Sequence, residues 1–258
     1  MPLKRAKIRL FIEADLSAGA SVRLAGLQYH YLTRVMRLET GSTVGMFNGR
    51  DGEWRARLAE TGKNSCFLTV ETHLAPQMVE EGPWLIFAPL KKGPTDFLVE
   101  KAVELGVSRL VPIQTRFTAS VRINKRRLRA NAIEAAEQCG RLTVPPIADV
   151  VRMERFISAW PAERPLLVLD ETGNGRPLAD IFDVNYEANL KPPAVMCGPE
   201  GGFATDELDA LGNLPFATRV GLGPRILRAE SAALSALACW QIMRGDGRHA
   251  PAAKAARR

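Results

Sequence analysis

Histidine and cysteine, the side chains most often recruited for acid–base, thiol and metal chemistry, are scarce in this chain: three and four respectively among 258 residues. His30, His73 and His249 are dispersed and lie outside the glycine clusters, so no imidazole relay is expected. Cys66, Cys139, Cys197 and Cys239 form no C-x-x-C pair, which argues against zinc and against a disulfide scaffold. Reduced, mostly buried thiols and no metal are expected. No apolar run is long enough to cross a bilayer, and no apolar signal core follows Met1-Pro-Leu-Lys-Arg5. The expectation is a cytoplasmic protein with no membrane partner. No Lys-Ser or Lys-Thr follows a glycine cluster, which excludes a P-loop.

What the chain does have is two glycine-rich segments near its end. Gly198-Pro-Glu-Gly-Gly-Phe203 follows the apolar run Ala194-Val-Met-Cys197. Leu222-Gly-Pro-Arg-Ile-Leu-Arg-Ala-Glu-Ser231 follows Arg219-Val-Gly-Leu222. Both read as strand-to-helix loops, and glycine there lets backbone N–H and C=O groups approach a ligand closely. Two such loops on neighbouring strands predict a backbone-walled pocket, with Arg225, Arg228 and Glu230 placing charge at its mouth. Gly221-Leu-Gly223 opens a dinucleotide fingerprint, but Ile226 occupies the third small position and Pro224 removes an amide. Gly198-Pro-Glu-Gly201 also matches the short GXXG of KH domains.

A net charge of +7 and a pI near 9.5 favour a polyanionic partner. Basic residues concentrate at Arg5 to Arg9, Arg122 to Arg129 and Arg248 to Arg258. The middle run reads either as a solvated helix face or as an RNA contact.

Residues 1 to about 72 look β-rich. Ile8 to Ile12 and Phe67 to Val70 are strand candidates, and Val44-Gly-Met-Phe47 and Trp54 to Leu58 flank the turn Asn48-Gly-Arg-Asp-Gly52. One helical stretch would bury Tyr31, Val35 and Leu38. Residues 73–82 read as a linker. From Pro83 strands alternate with helices: Trp84 to Phe87, a helix Thr95 to Leu105 stopped by Gly106, a strand Val107 to Gln114, and a helix ending at Cys139-Gly140. Leu166 to Leu169 and the two late strands complete a mostly parallel α/β sheet. The last helix, Ala229 to about Arg244, is rich in small residues: Ala232, Ala233, Ser235, Ala236 and Ala238.

Gly198-Pro-Glu-Gly-Gly with Leu222-Gly-Pro-Arg-Ile-Leu-Arg-Ala-Glu-Ser-Ala-Ala232 resembles the SPOUT class of S-adenosylmethionine methyltransferases. Within it, the chain is most similar to the small-subunit ribosomal RNA uridine-N3 methyltransferases, the E family. Arg34-Val-Met-Arg37, Glu100-Lys-Ala-Val-Glu-Leu-Gly106, Glu137-Gln-Cys-Gly-Arg141 and Val144-Pro145 agree with it, so the likeness runs from about Arg9 to Gly245. Ser231 replaces a frequent threonine and keeps the hydroxyl. The resemblance implies a PUA-like β-barrel RNA-binding domain over 1–72, the linker 73–82, a SPOUT α/β trefoil-knot domain over 83–246 with helices on both faces of its sheet, and a basic disordered tail over 247–258. It implies S-adenosyl-L-methionine as cofactor, held by Cys197, Gly198, Pro199, Glu200, Gly201, Gly202, Leu222, Gly223, Pro224, Ile226, Leu227 and Ser231. It also implies a homodimer and, as substrate, a uridine of 16S ribosomal RNA in the decoding region of the 30S subunit.

Uracil N3 must lose its proton before its lone pair can attack, and negative charge then spreads onto O2 and O4. Arg225 and Arg228 are placed to hold that charge. Glu230 or Glu200 would accept the proton, or instead pair with an arginine or cap a helix. Methylation at pyrimidine C5 needs a thiolate adduct, whereas a nitrogen nucleophile does not. N3 lies on the Watson–Crick edge, so the target must be unpaired or extruded. RNA contacts are expected from Arg9, Arg34 and Arg37 on the barrel and from Arg122, Lys125 and Arg126. Two other readings remain open at this point: the same fold methylating a ribose 2′-hydroxyl, and an RNA-binding assembly factor without catalysis.

Overall fold

The structure is a computed structural model and describes residues 6–119, 122–161, 163–182 and 191–248. Two compact units are present, the first built on residues 6–79 with 136–144, the second on 80–135 with 145–248. Most of the expected tail, residues 249–258, and His249 with it, lies outside the described residues.

The first unit is a five-stranded sheet of β1 (Arg9–Phe11), β2 (Ser21–Ala25), β3 (Thr43–Phe47), β4 (Glu53–Thr61) and β5 (Ser65–Ala75), in the order β1-β3-β4-β5-β2. In β2, Val22 and Leu24 point inward between exposed neighbours, as strand geometry requires. They join Leu32, Val44, Met46, Ala56, Leu58 and Leu68 in one apolar core. At the β3–β4 hairpin the buried Asn48 side chain accepts from the amides of Arg50 (2.9 Å) and Asp51 (2.8 Å).

The sheet curls into a half-barrel. Among the described residues β1 pairs with β3 alone and β2 with β5 alone. The edge of β1 is closed by side chains: Phe11 N donates to Glu137 Oε1 (2.8 Å), and Gln28 donates to Phe11 O (2.9 Å).

Two expectations change here. β5 continues through Ala75, so the first residues of the expected 73–82 linker belong to a strand. The helical stretch is α1 (Gly26–His30) followed by a π-helical turn over Tyr31–Val35. That wider turn rotates the buried position onto Leu32 and leaves Val35 58% exposed.

The second unit carries β6 (Trp84–Phe87), β7 (Arg109–Gln114), β8 (Val151–Arg152), β9 (Leu166–Leu169), β10 (Arg176–Pro177), β11 (Ala194–Cys197) and β12 (Ala217–Gly221). All pair in parallel, in the order β10-β12-β9-β11-β6-β7-β8. Every residue of β9 and β11 is buried, as expected of parallel strands covered on both faces.

The helices are α2 (Lys92–Glu104), α3 (Lys125–Cys139), α4 (Met153–Ser158), α5 (Leu178–Ile181), α6 (Thr205–Gly212) and α7 (Ala229–Met243). Leu208 and Leu211 of α6 and Met153 of α4 pack with Ile86, Val168 and Met196 on one face of the sheet. The Cys197 thiol, pointing the other way by strand alternation, meets the start of α7, so α7 covers the opposite face. Of the four thiols, Cys66 and Cys197 are buried, Cys239 is half-buried, and Cys139, at the last turn of α3, is exposed.

Candidate cofactor cleft and nucleic-acid interface

The chain places β6, β7 and β8 outward on one side, then crosses to start β9 and β10 on the other. β11 and β12 are inserted afterwards. A reversal of this kind in a parallel sheet leaves a crevice at the carboxyl ends of the strands. The two glycine loops open there. They are not on neighbouring strands, because β9 lies between β11 and β12. The loop after β9, Asp170-Glu-Thr-Gly-Asn-Gly175, therefore supplies a third wall.

The loop after β11 is held tightly. Gly202 N donates to Pro199 O (2.9 Å), and Gly202 adopts φ +71, a left-handed conformation that favours glycine. A Cβ at Gly202 would collide with the Glu171 carboxylate, and one at Gly198 would lie 3.1 Å from the Phe203 ring. At the exposed Gly201 a Cβ would meet only Phe117, at an ordinary 3.4 Å. Glu200 is exposed, and its Oε1 accepts from Lys91 N (3.3 Å), tying this loop to the one after β6. The buried Glu207 accepts from Ala204 N (2.9 Å) at the start of α6 and from Arg116 N (2.8 Å) in the loop after β7.

The β9 loop is shaped by Asp170. Its carboxylate accepts from Thr172 N (2.8 Å), Thr172 Oγ1 (2.7 Å) and Arg219 Nε (2.8 Å). Burial by itself would raise this carboxyl's pKa. The hydrogen bonds from Thr172 and Arg219 outweigh burial and hold it below the usual range. The turn brings Glu171 under Gly202. Sequence reading missed Glu171, although Leu166 to Leu169 followed by glycine repeats the signal of the two recognised loops.

Cys197 is sealed at the base of the cleft, its thiol 3.1 Å from Ala229 O. Burial first, and then the negative charges of Glu171 and Glu230, push its pKa up to about 12. The thiol stays protonated near neutrality and is no nucleophile. In the second loop, Gly223 takes φ +93 with open space around it, Ile226 is 89% exposed, and Leu222 and Leu227 are partly covered. Pro224 and Ser231 are exposed. Arg225 and Arg228 are also exposed, and neither side chain makes a hydrogen bond or ion pair among the described residues. Neither is thus engaged in bracing the loop against the half-buried Glu230.

The six residues expected at RNA divide sharply. Arg9 is removed from that set: its side chain is only 7% exposed and its guanidinium is fully engaged. It binds Glu53 (2.8 Å) and the carbonyls of Ala136 (2.9 Å) and Arg141 (2.8 Å), and lies over the Phe47 ring. A cation so enclosed holds the 136–144 segment to the first unit and cannot reach a phosphate. Arg34 and Arg37 are exposed, and Arg37 has φ 51, the one positive value outside glycine among the described residues. In the second unit Arg122, Lys125 and Arg126 are exposed, but Lys125 is paired with Asp149 (2.7 Å).

Comparison with known proteins agrees with this architecture. Residues 81–241 match the model of an RNA methyltransferase domain, and residues 24–71 that of an RNA methyltransferase PUA domain. The chain is 31% identical over 234 residues to a ribosomal RNA small subunit methyltransferase E of Synechocystis, covering 89% of this chain and 76% of that one. It is 29% identical to the protein of the same name from Rickettsia conorii, covering 89% and 93%. The crystal structure of the Neisseria gonorrhoeae enzyme of that name, bound to S-adenosyl methionine, superposes with a TM-score of 0.83 at 28% identity. It covers 93% of this chain and 98% of that one.

Proposed function

Since the chain belongs to the ribosomal RNA small subunit methyltransferase E family, we propose that it methylates N3 of a uridine in small-subunit ribosomal RNA, with S-adenosyl-L-methionine as methyl donor. What supports this reading is the gathering of the loops after β9, β11 and β12 at the carboxyl ends of three adjacent parallel strands, with the Arg225 and Arg228 side chains exposed and unpaired among the described residues on the last of them.

The cleft fits the cofactor. Glu171 packs against Gly202, where only glycine leaves it room, and Glu171 and Glu230 bring negative potential to Cys197 between the loops, suited to a sulfonium. Residues of the 197–202 and 222–231 loops would hold it, with Glu171 added from the β9 loop. When bound, it supplies an electrophilic methyl carbon. The protein's part is to place uracil N3 in line and to stabilise the anion formed there, and positioning of this kind accounts for much of the rate in such transfers.

Arg225 and Arg228 hold the charge that develops on O2 and O4, and Glu230, at the first turn of α7, takes the N3 proton. A protonated Cys197 agrees with attack by nitrogen, since a C5 methylation would call for a thiolate. Trefoil threading of the 83–246 domain, an active homodimer and action on the decoding region of the assembled subunit belong to the same reading.

The experiment is transfer of labelled methyl groups into small subunits, followed by nucleoside mass spectrometry. The expected product is 3-methyluridine. A 2′-O-methylated nucleoside, or no incorporation by protein that binds the cofactor, would refute the assignment.

A further inference from the structure

The second unit contains a cavity of about 300 Å³ that none of the residues assigned to the cofactor lines. Four of its nine lining residues are cations, Lys91, Lys92, Arg122 and Arg127, and no carboxylate lines it. Two helices begin at it: Lys91 is the N-cap of α2, and Asn124 precedes α3.

Both starts run against ordinary helix electrostatics. A helix N-terminus carries positive potential and favours acidic residues, yet neither α2 nor α3 has an acidic residue in its first turn. The N-cap of α2 makes no side-chain cap hydrogen bond. Lysines instead sit at the positive end of the dipole. Such a placement costs stability in the isolated protein and is relieved by an anion, which amides and side chains would bind together.

The nearest acids neutralise the cavity only in part, offsetting one of its four cations. Asp96 pairs with Arg127 (3.0 Å), and Glu200 accepts from the Lys91 amide and leaves the Lys91 ammonium available. Thr95 is satisfied by Leu90 N and O, both at 3.0 Å. The Lys91–Glu200 contact also fixes where the cavity lies. It opens beside the loop after β11, next to the proposed cofactor cleft.

We propose that this cavity binds a backbone phosphate of the RNA substrate, adjacent to the methylated nucleotide. Its size admits a phosphodiester with its sugar. The two lysines supply mobile point charges for the oxygens, and the two arginines add positive potential to the wall. Of the basic run at 122–129, Arg122 and Arg127 line the cavity, Arg127 in a pair with Asp96, while Lys125 turns to Asp149 and Arg126 does not line it. The inference rests on the RNA methyltransferase reading above.

The test is the double variant Lys91→Ala/Lys92→Ala, with Lys92→Glu as a second, charge-reversing variant. Affinity for small-subunit RNA is measured across a salt series, beside calorimetric cofactor affinity and steady-state methyl transfer. Loss of the phosphate contact should weaken RNA binding about tenfold near 0.1 M salt and lower the slope of log K against log salt by about one unit. KM for RNA should rise while kcat and cofactor affinity hold, and Tm should stay level or rise, because the lysines oppose the helix dipole. Unchanged RNA affinity and salt slope in both variants would overturn the proposal. So would inorganic phosphate, used as a probe, binding through these lysines while RNA binding ignores them. A wild-type protein that shows the lysine-dependent slope but transfers no methyl group would sink the proposed activity and leave the phosphate site standing.

Discussion

Gly202 and the arginine pair show how single residues set the cleft. Gly202→Ala forces a left-handed backbone on a residue that disfavours it by about 1–2 kcal/mol, and pushes its methyl into Glu171. Cofactor affinity should fall by more than about tenfold, measured by calorimetry on folded protein. Gly201→Ala, with ordinary contact distances, should change it little. For the arginines the expected effect is opposite in kind. Arg225→Ala and Arg228→Ala remove donors that act on developing charge, so each should slow single-turnover methyl transfer about a hundredfold while cofactor affinity is kept. Parallel loss of cofactor affinity would make them part of the cofactor pocket instead.

At the scale of one element, the loop after β9 depends on Asp170. Its side chain is fully buried against Arg219 and Thr172, so Asp170→Asn leaves donors poorly matched and should cost about 1–3 kcal/mol in chemical denaturation. The sign with pH follows from the depressed carboxyl pKa. The ionised form is favoured by folding, so its stabilisation is present above the pKa of the unfolded chain and is lost as pH falls through the lower folded value. Wild type and variant should therefore converge in stability under acid. A constant gap down to the lowest pH would show that the contribution is packing.

Over the whole molecule, α7 bears on assembly. Ala233 and Ala236 are buried within the protomer, while Ser231, Ser235, Ile242 and Met243 face outward. An exposed stripe on a helix that also borders the cleft fits a second copy completing the site. Light scattering should give a dimer mass at micromolar concentration, and Ile242→Glu should yield monomer with reduced methyl transfer. A fully active monomer would refute this.

Local sequence determined the strands Trp84–Phe87, Leu166–Leu169 and Ala194–Cys197, because short apolar runs bounded by glycine and proline have few other ways to bury themselves. It also determined where α3 and α7 stop and which two loops are rich in glycine. Strand order was beyond its reach. Periodicity says which face of a strand is buried but not which strand lies beside it, so β9 between the two glycine loops, and Glu171 with it, came only from the tertiary structure. The fate of the arginines was decided there too. Arg9 and Arg34 look alike in a sequence, yet one is enclosed by Glu53 and three backbone carbonyls and the other lies exposed. Charge is a property of the residue, whereas its availability depends on which distant groups the fold brings within hydrogen-bonding reach.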